Sequence, residues 1–267
     1  MIICSICGET MHDAFSATLL KKHEVAYRQC PNCGLLQTEQ PYWLDEAYGE
    51  AIVVADTGLV MRNFSLASRL IVLLYLCFNR RGAFLDMAGG YGMLTRLMRD
   101  YGFDYYWEDK YCRNLLARGF ESDKASKPFV ALSAFEVLEH LHEPLAFIRE
   151  KLAQHDCRTL IFTTELFEGV PPKDWWYFAF NTGQHVSFYQ RKTLEKIAER
   201  LSLNFYTLHG LHILTDRDIR ISPLVRIATG RLSPFLALLI RRSLGSLTIP
   251  DHFRLMGSSG GGVSEEI

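Results

Sequence analysis

The sequence predicts an α/β protein, a doubly wound sheet carrying a small cysteine-built head at its N-terminus. Three observations predict it. Residues 83–98 read as a strand, a tight glycine turn and a helix. Short apolar runs then alternate with stretches whose apolar residues recur every three to four positions. Two Cys-x-x-Cys pairs occupy the first forty residues. The 267 residues, 48% of them hydrophobic, suffice for one full α/β domain with something small at either end. A net charge of −1 with no long basic run argues against bulk DNA or RNA as a partner.

Taken in order, residues 1–40 form a zinc-binding module. Cys4 and Cys7, then Cys30 and Cys33, make two knuckles, each followed by a glycine that lets backbone amides turn toward sulfur. Disulfides are the alternative, disfavoured in a reducing compartment. A closed four-cysteine site is structural, since it leaves no open position for catalysis. His12 and His23 read as surface residues, and Cys77, Cys112 and Cys157 as inert thiols. Residues 41–80 are a helical connector. Its first part, Pro41 to Gly58, is aromatic, and its second is a helix with Ala67, Leu70, Ile71, Leu74, Cys77 and Phe78 on one face.

Ala83 to Asp86 is an apolar strand ending in an acid. Gly90 and Gly92 in the turn that follows let a ligand approach the backbone at the N-terminus of a helix beginning at Met93. Tyr105-Tyr106-Trp107 is a second strand, and Asp109 just beyond it stands where a carboxylate accepts ribose hydroxyls. Asn114 to Arg118 suggests a short helix, Gly119 to Glu121 a degenerate third strand, and Phe129 to Phe135 a buried fourth. Glu136, Glu139 and His140 fall at i, i+3 and i+4, on one face of a helical turn, and Pro144 suits the first turn of the next helix. Leu160 to Thr164 is the fifth strand. A polar and aromatic loop follows, containing Trp175-Trp176-Tyr177 and Gly183-Gln184-His185-Val186-Ser187-Phe188-Tyr189. Leu194, Ile197, Ala198 and Leu201 mark an amphipathic helix, and Asn204–Leu208 and Leu211–Thr215 the last two strands.

The run Asp86-Met87-Ala88-Gly89-Gly90-Tyr91-Gly92 resembles the first motif of class I S-adenosylmethionine-dependent methyltransferases, with Ala88 where that motif usually has its first glycine. The resemblance implies a Rossmann-like sheet of seven strands with an antiparallel edge strand, spanning a methyltransferase domain at residues 81–216. It also implies S-adenosylmethionine as cofactor, held by Asp86, Ala88, Gly89, Gly90, Gly92, Asp109, Phe135 and Glu136. The Glu-x-x-Glu-His run is similar to one in metal-dependent methyltransferases. Glu136, Glu139, His140 and His185 therefore form either a second divalent-metal site or a polar pocket wall containing Glu139 and His140. The Trp-Trp-Tyr and Gly-Gln-His-x-Ser-Phe-Tyr runs resemble a bacterial subgroup of zinc-headed enzymes associated with sugar and natural-product biosynthesis. The resemblance makes His185 a general base and Tyr177 and Tyr189 substrate contacts.

Residues 217–267 are expected to form a C-terminal helical cap and a disordered tail. The apolar and basic stretch 218–245 also fits a membrane-surface helix, but Pro223 and Pro234 interrupt it. The longest apolar run, Leu70 to Phe78, is short of the ~20 residues that span a bilayer, so no transmembrane segment is expected. With no export signal at Met1 to Cys4, a cytoplasmic protein is expected. The expected activity is methyl transfer to a hydroxyl of a small-molecule acceptor, or to carbon on a nucleotide-linked sugar. The rivals are an NAD-dependent oxidoreductase, which would need a third glycine where Thr95 stands, and a non-catalytic binding module. The sequence sets no oligomeric state.

Overall fold

A computed structural model describes residues 2–48 and 57–257. In chain order the elements are β1 (His12–Leu19), β2 (His23–Gln29), β3 (Leu36–Thr38), α1 (Leu44–Ala47), α2 (Leu59–Cys77), β4 (Ala83–Asp86), α3 (Met93–Asp100), β5 (Asp104–Trp107), β6 (Phe129–Ala134), α4 (Pro144–Gln154), β7 (Thr159–Phe162), β8 (Ser187–Phe188), α5 (Arg191–Leu201), β9 (Asn204–Leu208), β10 (Leu211–Thr215), α6 (Pro223–Thr229), α7 (Ser233–Leu244) and α8 (Thr248–Leu255). The fold is mixed α/β. Its central sheet runs β5-β4-β6-β7-β10-β9, and a smaller sheet runs β1-β2-β3-β8. By compactness the chain divides into Met1–Asp56 with Ala131–Ile219, the first unit, and Thr57–Val130 with Arg220–Ile267, the second.

In the second unit β4 is buried along its whole length and pairs in parallel with β5, from Ala83 opposite Asp104 to Asp86 opposite Trp107. Continuous apolar burial is what a parallel strand covered on both faces requires. α2 buries Ala67, Leu70, Ile71 and Leu74 of the expected face but also Val72 and Leu73 off it, while Cys77 stays partly exposed, and it packs on α3, α6 and α7. The nine-residue apolar run understates this helix. At 19 residues α2 is, among the described residues, the one helix long and apolar enough to cross a membrane by length and composition. Arg99 of α3 is almost wholly buried, and its guanidinium donates to both carboxylate oxygens of Asp251 on α8 at 2.7 and 2.8 Å.

In the first unit β6 and β7 are parallel, while β10 pairs antiparallel with both β7 and β9. His209 and Gly210, at φ 51° and 81°, close the β9–β10 hairpin with the two left-handed residues that a tight two-residue turn needs. β8 was not expected. Two residues carry no readable period, and Leu36 pairs with Phe188 only because the chain returns there to cover Tyr27, Trp43, Tyr177 and Phe178.

Three expectations are corrected. The central sheet has six strands among the described residues rather than seven, because Gly119–Glu121 makes only an isolated bridge, Trp107 to Glu121. Asn114–Arg118 is not helical. The Asn114 side chain accepts from the amide of Ala117 and donates to Glu121, while Leu115 and Leu116 donate to the carbonyl of Tyr91, so the segment's donors are spent outside a helical ladder. Pro223 and Pro234 open α6 and α7 rather than merely interrupting them. The expected connector at 41–58 and tail at 257–267 lie partly outside the described residues.

Candidate functional site

The glycine bend belongs to the second unit. The amide of Glu108 donates to Asp86 and the amide of Gly89 to Glu108, which stitches the end of β4 to the end of β5. Gly90 and Gly92 have φ of 53° and 89°, and Gly92 opens α3. Ala88 is not among the positive-φ residues, so alanine suits a position where the resembled motif carries glycine. A Cβ added at Gly90 would meet nothing within 4 Å, whereas one at Gly92 would come to 3.0 Å of Ala117 and Asn114. The bend is thus open at Gly90 and closely backed at Gly92.

Asp109 faces the bend. One carboxylate oxygen accepts from the amide of Gly90 at 2.9 Å, and the other accepts from the amides of Tyr111 and Cys112 at 2.7 Å each. A ribose at Asp109 would therefore share an already hydrogen-bonded carboxylate. Trp107, which sequence reasoning passed over, donates from its indole nitrogen to the carbonyl of Gly90 at 2.9 Å. Its ring also forbids a side chain at Gly89, where a Cβ would lie 2.5 Å from Cδ1. The only signal for this was an aromatic at a strand end that faces a glycine turn. Thr95 is fully buried with its hydroxyl on the carbonyl of Tyr106, so the third glycine of a dinucleotide fingerprint is absent in space as in sequence.

The first unit holds the acid and imidazole groups. After β6 the chain passes Phe135, which is half-buried, and Glu136, whose φ of 55° is left-handed and uncommon for a residue with a Cβ. A single 3-10 turn, Leu138–His140, follows. The expected face of Glu136, Glu139 and His140 therefore does not form, because Glu136 precedes the helical turn. Its backbone amide and carboxylate are both engaged by Thr163 Oγ1, at 3.0 and 2.7 Å. Glu139, His140 and His185 do come together, with one ligand atom from each within 4.8 Å of the others.

The loop holding His185 is fastened to that turn. Val186 donates its amide to the carbonyl of Glu139, Ser187 its hydroxyl to that of Leu141, and Tyr189 its hydroxyl to that of Leu138. Gly183, at φ 63°, packs against Trp43, whose indole nitrogen donates to its carbonyl at 2.7 Å. Tyr189 has no exposed surface and Tyr177 almost none. Both rings are walls of the buried core beneath this loop.

Glu139 is fully buried, and neither carboxyl oxygen has a hydrogen-bond partner among the described residues. Burial, reinforced by the charge of Glu136, pushes its carboxyl up to about 8, so in the absence of a cation it holds a proton at neutral pH. Burial pulls His140 down to about 3, with His185 nearby adding to the effect, and it lowers His185 as well. Both imidazoles are therefore neutral. The Nδ1–H of His185 donates to the carbonyl of Tyr177 at 2.6 Å, which leaves the lone pair on Nε2. Nδ1 of His140 lies 3.1 Å from the carbonyl of Gln184 and 2.8 Å from the hydroxyl of Tyr48, two further partners that sequence reasoning missed. An orphaned buried carboxyl beside two neutral imidazoles is a donor set that suits a divalent cation.

At the N-terminus the sulfurs of Cys4 and Cys33 lie 3.5 Å apart and those of Cys7 and Cys30 3.4 Å apart, with all four within 4.8 Å of one another. Cys4 is lowered to about 5 by its hydrogen bond to Cys33, whose own thiol is raised by the same bond. Four clustered sulfurs, one already inclined to ionise, match a tetrahedral thiolate site.

The family model described as "Methyltransferase domain" matches residues 61–208. Among solved structures the chain is similar to TnmH, with 16% identity over 66% of this chain and 60% of that one and a TM-score of 0.44. It is also similar to the magnesium protoporphyrin IX methyltransferase of Synechocystis PCC 6803 with bound SAH, with 16% identity, 64% and 90% coverage and a TM-score of 0.42. For the mitomycin 7-O-methyltransferase the values are 11%, 64%, 59% and 0.42. The chain thus spans about 60% of the length of the first and third of these. No curated protein sequence matches it.

Proposed function

The chain belongs to the methyltransferase-domain family, and from that premise we propose that it transfers a methyl group from S-adenosylmethionine to a hydroxyl oxygen of a small molecule, such as a sugar or natural-product intermediate. The observation that carries the cofactor reading is the bend: left-handed Gly90 is open on its Cα side and tied through its amide to Asp109. Asp86, Ala88 and Gly89 shape that bend, and Asp109, with three amides already on its oxygens, offers its remaining acceptor site to a ribose. Phe135 and Glu136, at the end of β6, are assigned to the cofactor on the family resemblance alone.

The bound cofactor supplies a methyl already made electrophilic by its sulfonium, so the protein's own work is alignment, exclusion of water and removal of a proton. His185 is suited to the last of these. The carbonyl of Tyr177 fixes its tautomer and orientation, and burial keeps the ring neutral with its lone pair on Nε2. Glu139 and His140 either hold the acceptor by hydrogen bonds or, with His185, bind a divalent cation. The orphaned carboxyl of Glu139 favours the cation. The four cysteines are proposed to hold a structural zinc, which would staple a segment too small to fold on its own core.

Transfer of labelled methyl to candidate hydroxyl acceptors tests the proposal, with cofactor affinity measured by calorimetry. Absence of S-adenosylmethionine binding by the intact chain would end it. Transfer to carbon of a nucleotide-linked sugar uses the same bend and would show itself in the position of the label.

A further inference from the structure

The C-terminal helices of the second unit are built inside out for a surface in water. α6 buries Thr229, while Leu224 and Ile227 are 76% and 58% exposed. α7 buries Ser233, Ala237 and Ile240, while Phe235, Leu238 and Leu239 are 62%, 52% and 44% exposed. Phe235, Leu238, Leu239 and Arg242 stand at i, i+3, i+4 and i+7, so they form one stripe along α7. Ile240 apart, the fully buried positions of these two helices are small or polar, and most of their large apolar side chains stand in solvent.

Charge on these helices is one-sided. Residues 219–250 contain five arginines, Arg220, Arg226, Arg231, Arg241 and Arg242, and no aspartate or glutamate. All five are exposed. Residues 57–85, which include the α2 helix on which α6 and α7 pack, add four arginines and again no acid, in a chain whose net charge is −1. α6 and α7 meet at 92°. At about 1.5 Å per residue each is too short to cross a ~30 Å hydrocarbon layer.

From this exposed apolar stripe and the exposed arginines along it, we propose that α6 and α7 seat the protein in the interfacial layer of an anionic lipid bilayer. The apolar side chains would enter the acyl boundary while the arginines meet lipid phosphates. A second copy of the chain fits the surface less well, because a twofold contact would set arginine against arginine with no carboxylate on the same stretch to answer it.

Flotation of the full-length protein with vesicles of phosphatidylcholine, with and without phosphatidylglycerol, tests the proposal. Binding is expected only with phosphatidylglycerol and should weaken with salt. Arg231→Ser with Arg242→Ser should lower partitioning about fivefold per arginine removed. Phe235→Ser with Leu238→Ser and Leu239→Ser should abolish it, with thermal melting unchanged because all three side chains are exposed. Four results would overturn the proposal: no flotation with either vesicle, equal flotation with both, binding unaffected by either variant, or a dimer in sedimentation that the triple variant dissolves while vesicles go unbound.

Discussion

His185 donates its Nδ1–H to the carbonyl of Tyr177 across 2.6 Å, and that bond leaves the lone pair on Nε2 of a ring that clusters with Glu139 and His140. A neutral imidazole held in one tautomer is the form a general base needs before it acts.

Replacing His185 with Ala should therefore lower kcat by about 10²–10⁴-fold while leaving affinity for S-adenosylmethionine unchanged. Burial lowers its pKa below the ordinary 6.5, so the wild-type rate should rise with pH only below that value and be flat at neutrality. Stopped assays across pH, with calorimetry on the variant, check both statements. Full activity in His185→Ala would assign the proton to another group.

Glu139 predicts how stability varies with pH in metal-free protein. Its carboxyl titrates near 4.5 in the unfolded chain and about 8 in the fold, so the folded state holds the extra proton between those values. Stability from this group is complete below pH 4.5 and is lost as pH rises through 8, on the order of a few kcal/mol. His140, lowered to about 3, works in the opposite sense between pH 3 and 6.5, so the loss should emerge above 6.5. Denaturant melts of Glu139→Gln should lack that alkaline decline, and a divalent cation should suppress it in the wild type.

Metal content should separate the two candidate centres. Cys30→Ser should lose zinc and, with it, order in the head, whose Cys33 carbonyl accepts the hydroxyl of Thr193 on α5. Glu139→Gln should retain that zinc and lose any second divalent ion. Elemental analysis of both variants reads the result directly, and zinc undiminished in Cys30→Ser would refute the four-cysteine site.

Gly90→Arg should abolish cofactor binding with little loss of fold. Nothing lies within 4 Å of the new Cβ, so the cost is the left-handed backbone, about 1–2 kcal/mol, and the side chain enters the open space. Calorimetry and a thermal melt test the two halves. Unimpaired binding would move the cofactor elsewhere.

Asp251→Ala should destabilise the second unit by about 1.5–3 kcal/mol, because it removes two charge-assisted bonds from the buried guanidinium of Arg99 and leaves Asp104 and the carbonyl of Tyr105 as its partners. Asp251→Asn should cost less, since its side-chain oxygen can still accept one of the bonds. Equal stability of Asp251→Ala and the wild type would mean that water reaches Arg99.

Much of the fold was legible because its signals are local. The bend between β4 and α3 follows from an acid, small residues and a 3–4 apolar spacing that are adjacent in the chain. The β9–β10 hairpin follows from two apolar runs parted by His209 and Gly210. Gly119–Glu121 and Asn114–Arg118 misled because their patterns are weak and their hydrogen bonds go to Trp107, Tyr91 and Glu121. Glu136 misled because helical spacing was assumed across a residue whose φ is 55°.

By itself, then, the sequence determined an α/β chain with a glycine bend and two cysteine pairs, since each is encoded by spacing within a few dozen residues. Only the tertiary structure decided that Glu139 is sealed from water, that Tyr48 and Gln184 flank His140, and that Phe235, Leu238 and Leu239 of α7 face outward. A carboxyl's proton affinity, an imidazole's tautomer and a helix's exposed face are set by what surrounds them, and those neighbours arrive from as far as 168 positions away in the chain.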